Sequence, residues 1–332
     1  MKERLIRGAA RAAMKQRWLV ELLGRDRQRG TDTELDPQVA AALAFQRLAR
    51  MPALELMEPA AARRYAESGM SPLDVDREVM DEVIDTHAAE VPVRIYVPPR
   101  VTGAWIVYFH GGGGVIGSIE GSDAVTRYLA AHTGATVASV GYRLGPEYKH
   151  PIAIDDAFAA YRALLARVPS AARVGVAGDS FGGFLAAHVD RRARQAKVRP
   201  PDVQALIYPI VDLTLRSPSI ARYADGYLLT SAMMHWFRDN YLRSVADAEL
   251  GSPWFWPDVA ASAPALIVTA AFDPLVDEGD GWADRLRAAG VPVRHRREPG
   301  LVHGFLSLAG AVDAARAATD RICADLVELL RS

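Results

Sequence analysis

One six-residue segment limits what this chain can fold into more than any other part of the sequence. Residues 178–183 read Gly-Asp-Ser-Phe-Gly-Gly and lie between the apolar runs Val174–Ala177 and Phe184–Ala187. This pattern predicts a strand, a sharp turn and a helix. The glycines two residues before and after Ser180 leave room for its hydroxyl to stand clear of the backbone, so Ser180 is a candidate nucleophile. The first N–H groups of the following helix would face an oxyanion formed beside it.

Alone, the Gly-x-Ser-x-Gly pattern is a weak signal, because glycine and serine are common enough for it to arise by chance. Two further features support it. His110–Gly114 is a histidine followed by four glycines, directly after the strand-like run Ala104–Phe109, and its backbone amides are unhindered by side chains. Downstream, Asp273 ends the apolar run Ala265–Phe272, and His303 lies in a glycine-flanked loop. Serine, acid, histidine is one of the known chain orders of a serine hydrolase triad.

The acid and the histidine each have competitors in the sequence. Asp277 and Glu278 lie within one helical turn of Asp273, where they could instead cap or charge the next helix. Asp273 is preferred because it ends a strand, from which a carboxylate can reach across to a histidine. Among the seven histidines other than His303, the strongest competitor is His110, which also follows a strand. The adjacent glycine run instead assigns His110 to ordering backbone through hydrogen bonds.

Together these motifs resemble those of the bacterial members of the hormone-sensitive lipase family of carboxylesterases. The resemblance rests on four blocks, which are His110–Gly113, Tyr142–Glu147, Gly178–Gly183, and Asp273–Gly279 with His303–Phe305. It implies an α/β-hydrolase fold and an esterase activity. It also implies two sets of site residues: a catalytic triad of Ser180, Asp273 and His303, and an oxyanion hole formed by the N–H groups of Gly112, Gly113 and Phe181.

The chain departs from the usual family pattern at three positions. Gly114 stands where family members usually carry an aromatic or other large residue. Phe181 stands where alanine is usual, and Phe184 where asparagine is frequent. These departures leave the implied triad intact, but they change residues that would shape the acyl pocket.

The rest of the sequence alternates between strand-like and helix-like patterns. Val91–Val97 alternates polar and apolar residues, as in a half-exposed antiparallel strand. Nearly unbroken apolar runs, typical of parallel strands covered on both faces, occur at Ile106–Phe109, Thr136–Val140, Val174–Ala177, Ala205–Tyr208 and Ala265–Ala270. Helical patterns lie between them at Asp123–His132, Ile152–Ala166, Phe181–Ala196 and Val276–Ala289. The chain is therefore predicted to form a mostly parallel central sheet flanked by helices.

One long segment, residues 212–251, interrupts this alternation with a cluster of large apolar side chains. We interpret it, with the helical stretch before about residue 70, as a helical cap over Ser180. The predicted division is residues 1–70 for the N-terminal part of the cap, 71–211 and 252–332 for the two parts of the hydrolase core, and 212–251 for the cap insertion. The predicted substrate pocket comprises Gly114, Tyr223, Leu228, Met233, Trp236 and Phe237. For any one of the aromatic or methionine residues, simple core packing is the competing interpretation.

Composition narrows the class of protein. The 332 residues carry 39 Lys and Arg against 40 Asp and Glu, and this balance disfavours a nucleic-acid partner. The single cysteine, Cys323, permits no internal disulfide and is expected to be buried. The first 29 residues are rich in Lys and Arg but hold no apolar stretch long enough for a signal peptide or membrane span, so a cytoplasmic protein is expected. A basic amphipathic helix there could lie on an anionic membrane, although a helix packed into the cap explains the same pattern.

These observations predict a serine carboxylesterase that hydrolyses short- to medium-chain acyl esters of small molecules. No metal or organic cofactor is expected, because the sequence shows neither a His/Cys cluster nor a phosphate-binding glycine loop. The alternatives are a non-catalytic small-molecule receptor on the same fold and a hydrolase of amides, lactones or thioesters. The resemblance also implies a homodimer through the last strand-like segment, Val291–Arg296, at a sheet edge.

Overall fold

One central sheet organises the protein, whose computed structural model describes residues 12, 14–23, 33–48, 52–69 and 75–331. Within these ranges the strands are β1 Glu82–Ala88, β2 Val91–Val97, β3 Trp105–Phe109, β4 Thr136–Val140, β5 Val174–Asp179, β6 Val203–Ile207, β7 Ala265–Phe272 and β8 Val293–Val302. They form one eight-stranded sheet in the order β1-β2-β4-β3-β5-β6-β7-β8. Strands β3 to β8 are parallel, whereas β2 runs antiparallel to both β1 and β4.

Helices cover both faces of this sheet. The described helices are α1 Arg17–Leu23, α2 Pro37–Leu48, α3 Pro59–Gly69, α4 Ile119–Thr133, α5 Ile152–Leu164, α6 Phe181–Gln195, α7 Pro218–Arg222, α8 Ser231–Tyr241, α9 Asp247–Gly251, α10 Val276–Ala288 and α11 Asp313–Arg331. Buried side chains of α5, α6 and α10 pack with one face of the sheet, and those of α4 and α11 with the other. Successive residues of one strand, such as Ile106 and Val107, therefore enter different cores.

The predicted alternation of buried strands and helices is confirmed. Strand β4 has the predicted bounds, and β3, β5, β6 and β7 differ from the prediction by a few residues at their ends. Strand β2 has the predicted bounds and is antiparallel, as expected. Strand β1 was not predicted, because most of its residues are exposed, including the apolar Val83 and Ile84 on opposite faces of the strand. A strand without a buried face gives no apolar periodicity in the sequence.

The last strand lies at the sheet edge, as expected, but its predicted bounds were wrong. Strand β8 begins at Val293 rather than Val291 and continues to Val302, six residues beyond the predicted end at Arg296. Pro299 and Gly300 would normally indicate a turn there. An edge strand tolerates proline, because one side of its backbone needs no ladder partner. The longer strand extends to the residue before His303.

The N-terminal helices pack against the C-terminal part of the chain. Met14 and Val20 are buried with Ala41 of α2 and Ala311 near α11. Of the nine basic residues before residue 30, Lys15 and Arg17 lie within the described ranges, and both are exposed. Trp18 of α1 is 64% exposed. In the described ranges no helix combines the length and the apolar character that crossing a membrane requires. Cys323 is buried in α11, as predicted.

His188, on α6, is a buried histidine that the structure holds neutral. Its Nε2 atom lies 2.9 Å from the Gly251 carbonyl oxygen and donates a hydrogen to it. The ring packs between Phe184 and Trp256, with centroid distances of 4.4 and 4.9 Å. Burial lowers the pKa of His188 to about 3, against an opposing effect of the bond to Gly251. The unfolded chain binds a proton here near pH 6.5, whereas the folded chain does not.

The folded protein is therefore expected to lose stability as pH falls below about 6.5, since a lowered histidine pKa favours unfolding in acid. His188 contributes up to about 2 kcal/mol of this loss between pH 7.5 and pH 5. In His188→Gln the melting temperature should change less between these two pH values than in the wild type. His235→Gln, at an exposed position of α8, is the matched control. An unchanged pH dependence in His188→Gln would contradict this assignment.

Candidate active site

Ser180 occupies the turn between β5 and α6 in a strained conformation. Its backbone has φ 54° and ψ −116°, in the left-handed region that non-glycine residues rarely adopt. Gly182 permits this turn, because a Cβ atom at that position would overlap the carbonyl oxygen of Phe109. The Ser180 N–H is held by the Ile207 carbonyl oxygen at 2.8 Å. The turn is therefore fixed against both neighbouring strands, β3 and β6.

The structure brings Ser180, His303 and Asp273 into one hydrogen-bonded series. His303 Nε2 lies 2.9 Å from Ser180 Oγ, and His303 Nδ1 lies 2.8 Å from Asp273 Oδ2. Because the carboxylate accepts, Nδ1 carries the proton and Nε2 is free to accept the hydrogen of the serine. Asp273 is 1% exposed, and its Oδ1 accepts the Leu275 N–H at 2.8 Å. The three residues follow strands β5, β7 and β8, whose carboxyl ends meet at one edge of the sheet.

The competing acids have other partners. Asp277 pairs with Arg222 at 3.1 Å. Glu278 is buried and accepts the N–H groups of Val211 and Asp212 at 2.7 and 3.0 Å, and burial raises its pKa to about 8. Glu278 thus ties the first residue of the 212–251 segment to helix α10.

His110 orders backbone, as its sequence context predicted. Its Nδ1 lies 2.8 Å from the Gly111 carbonyl oxygen, and its ring stacks on Tyr142 with a centroid distance of 4.4 Å. The Tyr142 hydroxyl donates to the His110 carbonyl oxygen at 2.7 Å. Burial lowers the pKa of His110 to about 4, so the ring is neutral at pH 7.

Asp179 connects the glycine loop to the serine turn. Its Oδ1 accepts the Tyr108 hydroxyl at 2.6 Å and the Gly111 N–H at 2.8 Å. Its pKa is raised, with burial as the largest cause. Because Asp179 directly precedes Ser180, its carboxylate fixes the start of the glycine loop beside the serine turn.

The residues predicted to form the oxyanion hole lie together around one cavity. Gly112, Gly113 and Phe181 line it beside Ser180 and His303. The loop turns back at once, because the N–H groups of Val115 and Ile116 both donate to the Gly112 carbonyl oxygen at 3.0 Å. Phe181 is the first residue of α6, where a backbone N–H has no partner within the helix.

The cavity has a volume of about 580 Å³, and its lining is mostly apolar. Leu228, Met233 and Phe237, predicted to form the pocket, do line it. Further lining residues come from the N-terminal part of the chain, such as Leu43 and Tyr65, and from loops near the sheet, such as Ile210, Leu213 and Leu275. The sequence did not reveal these residues, because an apolar residue that lines a cavity has the same periodicity as one in a core.

Three of the residues predicted to form the pocket do not line the cavity. Tyr223 is buried against Tyr227 and Phe272, with ring centroids 5.2 and 5.9 Å away. Trp236 packs outside the cavity, edge-on against Phe237 at 5.2 Å. Gly114 is covered by aromatic rings and does not line the cavity. For the two aromatic residues the competing interpretation, core packing, was the right one.

Comparison with known proteins agrees with this architecture. A family model described as Abhydrolase_3, alpha/beta hydrolase fold, matches residues 106–307. The chain is 39% identical to the ethyl acetate hydrolase of Pseudomonas putida over 236 residues, which are 68% of this chain and 74% of that protein. It is 35% identical to the carboxylic ester hydrolase LipN of Mycobacterium tuberculosis over 314 residues, 88% of this chain and 82% of that protein. An esterase structure from Pyrobaculum calidifontis superposes with a TM-score of 0.80 at 34% identity, covering 86% of this chain and 97% of that one.

The chain belongs to the α/β-hydrolase family. The predicted fold class and the resemblance to hormone-sensitive-lipase-like esterases are thereby confirmed. The predicted enzyme class, carboxylic ester hydrolase, is confirmed at that level.

Two of the departures from the usual family pattern compensate for each other in this α/β-hydrolase. A Cβ atom at Gly114 would lie 2.7 Å from Phe181 Cζ and 2.8 Å from Tyr241 Cδ2. The Phe181 ring is buried and packs on Phe184 and Tyr241 at centroid distances of 4.9 and 4.7 Å. The Phe181 ring therefore occupies the space beside residue 114, and only a glycine at position 114 leaves that space free.

We expect the effects of substitutions at these two positions to be strongly coupled. Gly114→Ala should lower the free energy of unfolding by less when Phe181→Ala is also present, because the clash with the Phe181 ring is then absent, whereas the close contact with Tyr241 and the positive φ remain. Residues in contact show coupling energies of about 0.5–3 kcal/mol. Denaturant unfolding of the two single variants and the double variant measures this coupling.

The matched control for this cycle is Gly103→Ala. Gly103 also has a positive φ, 86°, but a Cβ atom there would meet nothing within 4 Å. Its effect should add to that of Phe181→Ala. Additive effects for Gly114→Ala as well would exclude the proposed compensation.

Proposed function

We propose that the protein hydrolyses short- to medium-chain acyl esters through an acyl-enzyme on Ser180. The observation that carries this proposal is the hydrogen-bonded series from Ser180 Oγ through His303 to Asp273, at 2.9 and 2.8 Å, beside the glycine loop of the cavity. A non-catalytic receptor needs no such series. The esterase names of the relatives support the same reaction class.

In the first step, Ser180 Oγ attacks the ester carbonyl carbon while His303 Nε2 takes its proton. Asp273 holds His303 with Nδ1 protonated and stabilises the imidazolium that forms. The Leu275 N–H fixes the other carboxylate oxygen, so the acid cannot turn away from the ring.

The carbonyl oxygen becomes negatively charged in this step, and the N–H groups of Gly112, Gly113 and Phe181 are proposed to receive it. Each donor of this kind is typically worth about 10²- to 10³-fold in rate. The imidazolium then gives its proton to the departing alkoxide, which leaves as the alcohol. Water attacks the acyl-enzyme with His303 as the base, and Ser180 regains its proton as the acid is released.

The proposed acyl range rests on the large apolar side chains on the cap side of the cavity. Leu229, Met233 and Phe237 line it on the side of the 212–251 segment. We infer that this segment and the N-terminal helices act together as the cap, because both contribute lining residues over Ser180. The Phe181 ring, which the sequence suggested would shape the acyl pocket, is instead buried against Phe184 and Tyr241. The limit on acyl length is therefore assigned to the cap side chains.

A series of p-nitrophenyl esters from acetate to palmitate tests the activity and the acyl range together. The wild type should act fastest on short or medium acyl chains, since the cap side chains are proposed to limit the length of the acyl group. Ser180→Ala should lower kcat by at least about 10⁴-fold, because the nucleophile is lost. Ser244→Ala, which removes an exposed hydroxyl outside the cavity, is the matched control.

Each part of this proposal has its own contrary result. Equal or faster turnover of palmitate would contradict the acyl range. Full activity in Ser180→Ala would contradict the nucleophile. A folded wild type inactive on the whole series would favour the receptor alternative.

We further propose a homodimer that pairs the edge strand β8 with its copy. An edge strand presents backbone N–H and C=O groups with no partner in its own sheet. Static light scattering at micromolar concentration should give about twice the chain mass of 36.0 kDa. A mass equal to one chain would exclude the dimer.

A further inference from the structure

Arg63 belongs to helix α3, outside the sheet, yet its guanidinium reaches the back of the glycine loop. Nε donates to the Val115 carbonyl oxygen at 2.8 Å. Nη2 donates to the Gly145 carbonyl oxygen at 2.6 Å. Nη1 and Nη2 bind the two carboxylate oxygens of Glu147 at 3.0 and 2.6 Å. One planar group therefore joins three separate parts of the chain.

Both backbone partners of Arg63 are fixed to the glycine loop. Val115 directly follows Gly114, and its N–H donates to the Gly112 carbonyl oxygen at 3.0 Å. The Gly145 N–H donates to the Gly114 carbonyl oxygen at 2.7 Å. The guanidinium thus holds the exit of the loop and the segment against which the loop rests.

The loop needs such external support. Gly112, Gly113 and Gly114 have φ values of 119°, 62° and 72°, and a run of glycines has no side chains of its own to restrict it. Stabilisation of an oxyanion depends on amides that are already in place before the charge develops. Asp179 fixes the loop at its start through the Gly111 N–H. At the end of the loop, Arg63 makes the corresponding contact.

We propose that Arg63 is a positioning residue, which holds the amides of Gly112 and Gly113 in the geometry that receives the oxyanion. This inference rests on the proposed esterase function. It means that helix α3, which lies outside the sheet, contributes to the rate of the chemical step through the position of the glycine loop. Glu147 orients the fork of the guanidinium, and the hydrogen bond from Arg63 is the main cause that lowers the pKa of Glu147.

Steady-state kinetics on a short p-nitrophenyl ester test the proposal. Arg63→Ala should lower kcat by about 10- to 100-fold, because a displaced donor loses much of its worth in the transition state. KM should change by less than about twofold, since the side chain does not line the cavity. Arg63→Lys should recover only part of the rate, because an ammonium lacks the planar fork.

Arg199→Ala is the matched control. Arg199 likewise joins a carbonyl oxygen, of Ala172 at 2.5 Å, to a carboxylate, of Asp202 at 3.2 Å. Its side chain is 35% exposed, compared with 25% for Arg63. It lies at the amino-terminal edge of β5 and β6, away from Ser180. It should lower the melting temperature about as much as Arg63→Ala and leave kcat unchanged.

Two further measurements separate positioning from a merely structural role. The inhibition constant of a trifluoromethyl ketone, which forms an oxyanion on the serine, should rise in Arg63→Ala by the same factor as kcat/KM falls. Guanidinium ion at millimolar concentration should restore part of the kcat of Arg63→Ala. It should have no such effect on Arg199→Ala.

The proposal is overturned if folded Arg63→Ala keeps the wild-type kcat, or if its inhibition constant stays unchanged while kcat falls. If Arg63→Ala does not fold, Arg63→Lys decides by the same two criteria. The proposed function is tested independently of Arg63. It is contradicted if the wild type has no esterase activity or if Ser180→Ala keeps that activity. An active wild type with an inactive Ser180→Ala and a fully active Arg63→Ala would refute the role of Arg63 alone.

Discussion

The site depends on the parallel pairing of two strands that are distant in sequence. Strand β3 lies beside β5 in a register that sets Phe109 opposite Gly178. This register sends the glycine loop and the serine turn out of the sheet at the same edge. It also places Gly182 against the Phe109 carbonyl oxygen so closely that no side chain fits between them. The proposed nucleophile and the proposed oxyanion donors are therefore positioned by one backbone contact, to which the side chain of Asp179 adds a second link.

The sequence predicted best those features that the central sheet determines. The strands buried on both faces were predictable because only a continuous apolar run can occupy such a position. The positions of Ser180 and Asp273 were predictable because each follows a buried strand, and the carboxyl ends of parallel strands meet at one edge. His303 was predictable from its glycine-flanked loop and from the chain order serine, acid, histidine. Strand β1 and the second half of β8 were not predictable, since one lacks a buried face and the other contains Pro299 and Gly300.

The pocket was predicted less well, for a physical reason. Phe237 lines the cavity, whereas its neighbour Trp236 packs outside it. Both are large and apolar in one helix, and hydropathy does not distinguish a wall of the cavity from the core beyond it. The same applies to Gly114 and Phe181. Only the structure shows that the Phe181 ring fills the space beside Gly114. Arg63 gave no signal at all, because an arginine on a polar helix is ordinarily a solvated residue.

The division into core and cap that the sequence predicts separates groups that the structure joins. Glu278 accepts two backbone N–H groups where the 212–251 segment leaves the sheet. Glu278 lies in the first turn of α10, which directly follows the loop that carries Asp273. Arg63 makes the equivalent connection from the N-terminal helices to the glycine loop. A buried or half-buried charged group holds its position only while its hydrogen-bond partners stay in place. A displacement of the N-terminal helices would therefore shift the loop after β3. A displacement of the 212–251 segment would shift the start of α10, next to Asp273, so both proposed cap segments are coupled to the proposed site.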